Sequence, residues 1–205
     1  MAVKSGGADP GGNSRLRAAI QNGRAQNMPK EKIDNAIHKA ISKDESDFQE
    51  IVYEAFAPFG VAMMIECASD NPTRTVANLR MYLSRNSGSL GTTGSVAFMF
   101  ERKAFFQLED KGIDMDELTL EAIDFGAEEV SKEDDGIYVT TDFLDYGKMQ
   151  SFIEQKGFTI IESSKLRVPT TTVDVNEAQI ESVNALIDII EDDDDVQAVY
   201  NNMKD

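Results

Sequence analysis

Between Val96 and Val168 the apolar residues switch repeatedly between two spacings, and the order of the switches constrains the fold more than any other feature of the chain. Alternation at every second residue marks a strand, whereas recurrence at three and four residues marks a helix. Val96-Ala97-Phe98-Met99-Phe100 and Ala104-Phe105-Phe106-Gln107-Leu108 are strand-like, and a helix is expected from Met115 to Phe125. Strands follow at Glu128–Ser131 and Ile137–Thr141, around the turn Asp134-Asp135-Gly136. A second helix is expected from Tyr146 to Lys156 and a last strand from Thr159 to Leu166. Strand, helix, two strands, helix, strand is the split βαβ order of a ferredoxin-like α+β unit.

The flanking segments do not close on themselves so simply. Ile51–Phe56 and Val61–Glu66 read as a hairpin turned at Ala57-Pro58-Phe59-Gly60. Asn71 is a natural helix cap, with Pro72 at the first helical position. Val76, Leu79, Met81 and Leu83 carry the helix to Asn86-Ser87-Gly88, and Ser89 to Ser95 is a glycine- and serine-rich loop. Beyond the break Pro169-Thr170-Thr171-Thr172 come one helix, Glu177 to Ile190, and one strand, Val196 to Tyr200. A single helix and strand cannot bury their own apolar faces, so they are expected to return to the sheet begun by the hairpin. The expected organisation is α+β throughout: a helical hairpin domain at residues 1–47, a discontinuous α+β domain at 48–95 plus 169–205, and an inserted ferredoxin-like domain at 96–168.

The N-terminal segment differs in both period and charge. Asp9-Pro10 reads as a helix start, followed by Leu16, Ala19, Ile20 and Gly23 at helical spacing. Asn27-Met28-Pro29 breaks the pattern, and Ile33, Ala36, Ile37, Ala40 and Ile41 form the stripe of a second helix. Asp44-Glu45-Ser46-Asp47 is expected to be a linker. Residues 1–43 hold eight lysines and arginines against three acids, a local balance of +5, which leaves −22 for the rest of a chain whose net charge is −17. A basic head on an acidic body implies different partners for its two parts. Arg17 and Arg24, and likewise Lys32 and Lys39, lie seven apart and share a helix face. Such a face either contacts phosphates or is simply solvated. The acidic body suits a basic protein surface.

Several function classes are disfavoured. No apolar run approaches membrane-span length, and the start Met1-Ala2-Val3-Lys4-Ser5 is not a signal peptide, so a cytoplasmic protein is expected. Cys67 is the single cysteine and His38 the single histidine, which leaves no disulfide framework and no metal-ligand spacing. The run Asp192–Asp195 lacks the spacing of a calcium loop and reads as a solvated helix end. Gly88 to Gly94 lacks the phosphate-loop pattern. No catalytic residue, metal or cofactor is expected.

A resemblance enters with the run Gly6-Gly7-Ala8-Asp9-Pro10, Asn13, Arg15-Leu16-Arg17-Ala18-Ala19-Ile20, Asn27-Met28-Pro29-Lys30, Ile33 and Ala36-Ile37. It continues through Tyr53-Glu54, Gly60-Val61-Ala62, Asp70-Asn71-Pro72-Thr73-Arg74-Thr75, Gly88-Ser89-Leu90-Gly91, Gly94-Ser95-Val96 and Val199-Tyr200-Asn201-Asn202. Taken together these motifs resemble the YebC/PmpR family, which includes a mitochondrial translational activator. The resemblance implies three domains around a central cavity, the middle one discontinuous. It also implies a regulator of transcription that binds DNA, or for some members a ribosome-associated factor that contacts RNA. Members of that family carry a further lysine- and arginine-rich stretch ahead of the point matching Met1, and without it a weaker grip on phosphate is expected. The expected nucleic-acid contacts are Arg15, Arg17, Arg24, Lys30, Lys32 and Lys39, with Arg74 and Arg80 near the helix start at Pro72. The protein is expected to act as a monomer, without a membrane.

Overall fold

The computed structural model describes residues 2–41 and 48–204; Lys43 and the expected linker Asp44–Asp47 lie outside the described residues. The chain divides into two compact units, residues 1–45 with 102–166 and residues 46–101 with 167–205. The architecture is α+β, with helices at the N-terminus and two four-stranded sheets.

In the first unit three helices come first: α1 (Ala2–Gly6), α2 (Ser14–Ala25) and α3 (Lys30–Ile41). Helix α2 starts later than Asp9-Pro10 suggests. Asn13 caps it by accepting the Leu16 N–H at 3.0 Å, and Gly11 and Gly12 intervene in a turn where Asp9 accepts the Gly11 N–H. Asn13 also donates to the carbonyls of Ala2 and Gly7, which ties α1 to α2. The expected apolar stripes are only partly used: Leu16 and Ile33 are buried, whereas Ala19 and Ile41 are exposed, and Ala18, outside the stripe, is buried instead.

The rest of this unit follows the split βαβ order. Strand β4 (Phe100–Leu108), helix α5 (Met115–Asp124), strands β5 (Ala127–Glu133) and β6 (Gly136–Asp142), helix α6 (Tyr146–Gln155) and strand β7 (Ile160–Pro169) form a sheet ordered β5-β6-β4-β7. Both helices cover one face. Ala104, Phe106 and Leu108 of β4 meet Leu118 and Ala122 of α5 and Met149, Phe152 and Ile153 of α6, all buried. Ala18 of α2 joins this core.

The second unit has the sheet order β3-β1-β2-β8, from β1 (Gln49–Phe56), β2 (Ala62–Ser69), β3 (Ser89–Leu90) and β8 (Val196–Asn201). Strand β8 pairs antiparallel with β2, so the C-terminal strand does return to the hairpin sheet. Helices α4 (Pro72–Arg85) and α7 (Glu177–Glu191) cover one face through Leu79, Leu83, Val183, Leu186 and Ile190. On the other face Ala62 and Met64 pack with Val96 and Phe100. The strand expected at Val96 is a correction: Ala97–Met99 is a single 3₁₀ turn, and β4 begins only at Phe100.

Glu54 explains that turn. Its carboxylate, 7% exposed, accepts the N–H groups of Gly94, Val96 and Ala97 at 2.6, 2.7 and 2.8 Å. A backbone wrapped around one carboxylate cannot also lie extended. The loop is further anchored by the Gly91 N–H on the Glu54 carbonyl at 2.8 Å, and a side chain at Gly91 would collide with Ser95. Burial works against ionisation of Glu54, but the amides of Val96, Gly94 and Ala97 outweigh it and hold the carboxyl below its ordinary value. The glycine-rich loop therefore does cradle an anion, and the anion is the protein's own.

Candidate nucleic-acid interface

The expected contact residues fall into distinct environments. Arg17 is committed to the fold: its Nε and Nη2 bind the Glu154 carboxylate of α6 at 2.9 and 3.3 Å, and its Nη1 donates to the Pro10 carbonyl at 2.9 Å. Arg74 is committed likewise. Its guanidinium meets Asp195 at 2.7 and 2.9 Å and Asp70 at 3.0 Å. The site at the start of α4 is thus already filled. Asn71 caps the helix through the Arg74 N–H, and the buried Asp195 carboxylate, 4% exposed, accepts from the hydroxyls of Ser69 and Thr75 at 3.1 and 2.7 Å. Burial would favour the neutral acid, but the hydrogen bonds from Arg74, Thr75 and Ser69 prevail and lower the Asp195 pKa.

The acidic run is accordingly more than a solvated helix end. Asp193 accepts from Asn78 at 2.9 Å and from the Tyr82 hydroxyl at 3.0 Å, so two of its four carboxylates bind α4. Among the described residues no group of histidine, cysteine and acidic side chains is arranged to hold a metal. Cys67 is buried in the core of its sheet, and burial, with the nearby charges of Asp193, Asp195 and Glu66, pushes its thiol up to about 12. It behaves as a small apolar side chain. His38 is exposed on α3.

Arg24, Lys30 and Lys32 are exposed around the turn between α2 and α3 and make no ion pair among the described residues. Arg80, on α4 in the other unit, is exposed in the same way. Arg15 and Lys39 are exposed but have contacts within the chain.

Sequence reasoning missed a second basic feature of the first unit. Arg102 follows the every-second-residue register of Ala104, Phe106 and Leu108, so it continues the core face of β4 past the end of the core. Its guanidinium lies 3.4 Å from the centroid of the Phe143 ring. Lys165 on β7 stands two residues beyond the buried Ser163, with Nζ 4.1 Å from the Tyr146 ring centroid and 4.9 Å from that of Phe143. Partial burial, together with the positive charges of Arg15 and Arg102, lowers the Lys165 pKa. For Arg102 the available signal was the β register, which continues the apolar face of β4.

Comparison with known proteins agrees with this fold. The profile of the TACO1/YebC protein N-terminal domain matches residues 1–43, and that of the TACO1/YebC second and third domain matches residues 48–203. A probable transcriptional regulatory protein of Flavobacterium johnsoniae is 49% identical over 205 residues, covering 100% of this chain and 86% of the relative. One of the same description from Cytophaga hutchinsonii is 48% identical over 203 residues, covering 99% of this chain and 85% of the relative. The crystal structure of a conserved hypothetical protein from Aquifex aeolicus superposes with a TM-score of 0.81 at 33% identity, over 100% of this chain and 85% of that one. With both profiles matched in order and relatives this similar along the whole chain, the protein belongs to the TACO1/YebC family.

Proposed function

We propose that this protein is a non-enzymatic, cytoplasmic regulator of gene expression that binds DNA through exposed cations of its N-terminal helices. The observation that carries the reading is the concentration of positive charge in residues 1–43, +5 in a chain of −17, with Arg24, Lys30 and Lys32 presented to solvent. Phosphate neutralisation by such residues supplies most non-specific affinity. The relatives' description as probable transcriptional regulatory proteins supports the same reading.

A second reading is a ribosome-associated factor that contacts RNA. It is favoured by the charge of −22 outside the first 43 residues, which repels a DNA duplex but suits the basic protein surfaces of a ribosome. Gradient sedimentation of cell lysate separates the two. Migration with DNA that DNase abolishes supports the first reading. Migration with ribosomes that ends when magnesium is chelated supports the second. Sedimentation as a free protein under all conditions contradicts both.

A further inference from the structure

Helix α5 has an outer face that the fold leaves uncovered. Leu118 and Ala122 form its buried side. At about 3.6 residues per turn, Leu120 and Ile123 fall on the opposite side, and they are 72% and 59% exposed. One exposed leucine is ordinary, but two large apolar side chains side by side on a helix face form a patch. Leu144, 87% exposed, precedes Asp145, whose carboxylate lies so close to Gly126 that a side chain there would collide with it. A third exposed apolar side chain therefore stands near the C-terminal end of α5.

The surroundings of the patch are acidic. Helix α5 carries Asp116, Glu117, Glu121 and Asp124 and no lysine or arginine. Neighbouring cations are engaged elsewhere: Lys156 pairs with Glu121, Lys111 pairs with Glu109, and Lys148 donates to the Asp124 carbonyl at 2.7 Å. The carboxylates of Asp116, Glu117 and Asp124 make no ion pair among the described residues. Asp124 sits in the last turn, where a negative charge opposes the helix dipole. Glu117 also lines a cleft of about 510 Å³ with the apolar side chains of Ile113, Leu118 and Phe158, and the lysines of that cleft are the paired Lys111 and Lys156. Apolar walls beside a carboxylate suit the aliphatic stem and cationic head of a lysine or arginine. The same carboxylates repel phosphate, and they repel a second copy of this face.

We propose that the outer face of α5, with Leu144 near its end, docks a basic amphipathic segment of a protein partner, whose apolar side chains cover Leu120 and Ile123 and whose lysines or arginines meet Asp116, Glu117 and Asp124. The apolar centre supplies affinity, and the acidic rim selects the partner and speeds encounter. This face shares no residue with the exposed cations of α2, α3 and α4, so its docking is independent of nucleic-acid binding.

The test is fluorescence anisotropy with the full chain, titrated into two labelled synthetic peptides: an amphipathic helix of leucine and lysine at helical spacing, and an oligolysine of the same charge. The unsubstituted chain is expected to bind the amphipathic peptide about tenfold more tightly than oligolysine at about 0.15 M salt. L120Q/I123Q is expected to abolish that preference, and D116N/E117Q/D124N to weaken binding of both peptides. D188N/I189Q/E191Q, which removes one exposed apolar side chain and two acids from α7 of the other unit, is expected to bind as the unsubstituted chain does. An unchanged preference in L120Q/I123Q overturns the proposal. So does an equal loss in D188N/I189Q/E191Q, which marks attraction to acidic surface in general, and so does the absence of any preference in the unsubstituted chain. A labelled single-stranded RNA is titrated in parallel, and loss of RNA binding in L120Q/I123Q with peptide binding intact assigns the face to nucleic acid and overturns the proposal too. Circular dichroism confirms that each variant is folded, and should L120Q/I123Q melt below the assay temperature, L120Q alone takes its place under the same criterion.

Discussion

The side-chain amide of Asn22 is paired with the backbone of Ser163: Nδ2 donates to the Ser163 carbonyl at 2.6 Å, and the Ser163 N–H donates to Oδ1 at 3.1 Å. These residues are 141 positions apart, and β7 is the edge strand of its sheet. A single asparagine on α2 thus gives an edge-strand residue the hydrogen bonds that a neighbouring strand would have made. The Ser163 hydroxyl, 2.9 Å from the Tyr146 hydroxyl, extends the link into α6. Helix α2 is therefore held by Asn22 on β7, by Ala18 in the core and by Arg17 on Glu154.

Asn22→Ala removes both bonds and leaves Ser163 with two unmade groups at a part-buried edge. A loss of about 1–3 kcal/mol is expected, read by urea denaturation. Asn22→Asp is expected to cost more than Asn22→Leu does in packing terms alone, because it sets a carboxylate oxygen against the Ser163 carbonyl. Unchanged midpoints would show that the pairing contributes nothing.

Glu54→Gln removes the charge that organises residues 94–97. A charge-assisted set of this kind supports an expected loss of about 1.5–3 kcal/mol. The pH dependence has a definite sign. The folded-state pKa lies below the unfolded one, so the contribution is fully present above about pH 4.3 and is lost as pH falls through the folded value. The acid limb of the stability profile is expected to be shallower in the variant, as measured by thermal melts across pH.

Asp195→Ala leaves the hydroxyls of Ser69 and Thr75 and the Arg74 guanidinium without their common acceptor. A loss of about 1–3 kcal/mol is expected from the buried hydroxyls left without their acceptor, because the half-exposed Arg74 keeps Asp70. The Asp195 pKa too is lowered on folding, so this contribution follows the same acid limb as that of Glu54.

Arg17→Gln and Arg74→Gln separate structural cations from nucleic-acid contacts. Both side chains are held by carboxylates of their own unit. Each variant is expected to lower the melting temperature and to leave nucleic-acid affinity within about twofold of wild type, because a guanidinium already paired releases few counter-ions. An affinity loss without a stability loss would reverse that assignment.

Much of this fold could be read from local spacing, and its limits lie where distant residues decide. The βαββαβ order followed from periodicity because α5, α6 and their strands each bury one regular face. The turn at Ala97–Met99 reads as strand from its apolar composition, while the cause of its bend, Glu54, is more than 40 residues away. Asp9-Pro10 carried a genuine turn signal, but the helix waits for Asn13, whose side chain also has α1 to tie down. Arg17 and Arg74 were legible as charges and not as ion pairs, since Glu154 and Asp195 stand 137 and 121 residues on. Arg102 and Lys165 are legible as charges and not as seated cations, because the rings that seat them come from the connection between β6 and α6 and from the first residue of α6.

The motif residues that carry the family resemblance are largely internal fasteners. Asn13 and Asn71 cap helices, Glu54 holds its loop, and Asn202 accepts the Ala62 N–H at 2.7 Å and donates to the Thr171 carbonyl at 2.9 Å. They identify the fold by building it.

The most direct measurement is the salt dependence of duplex DNA and single-stranded RNA binding by the purified full chain. Several simultaneous phosphate contacts give a linear fall of log K with log salt, with a slope steeper than about −2 for at least one of the two nucleic acids. A slope near zero, or no binding to either at low salt, would contradict a nucleic-acid role for this protein's exposed cations.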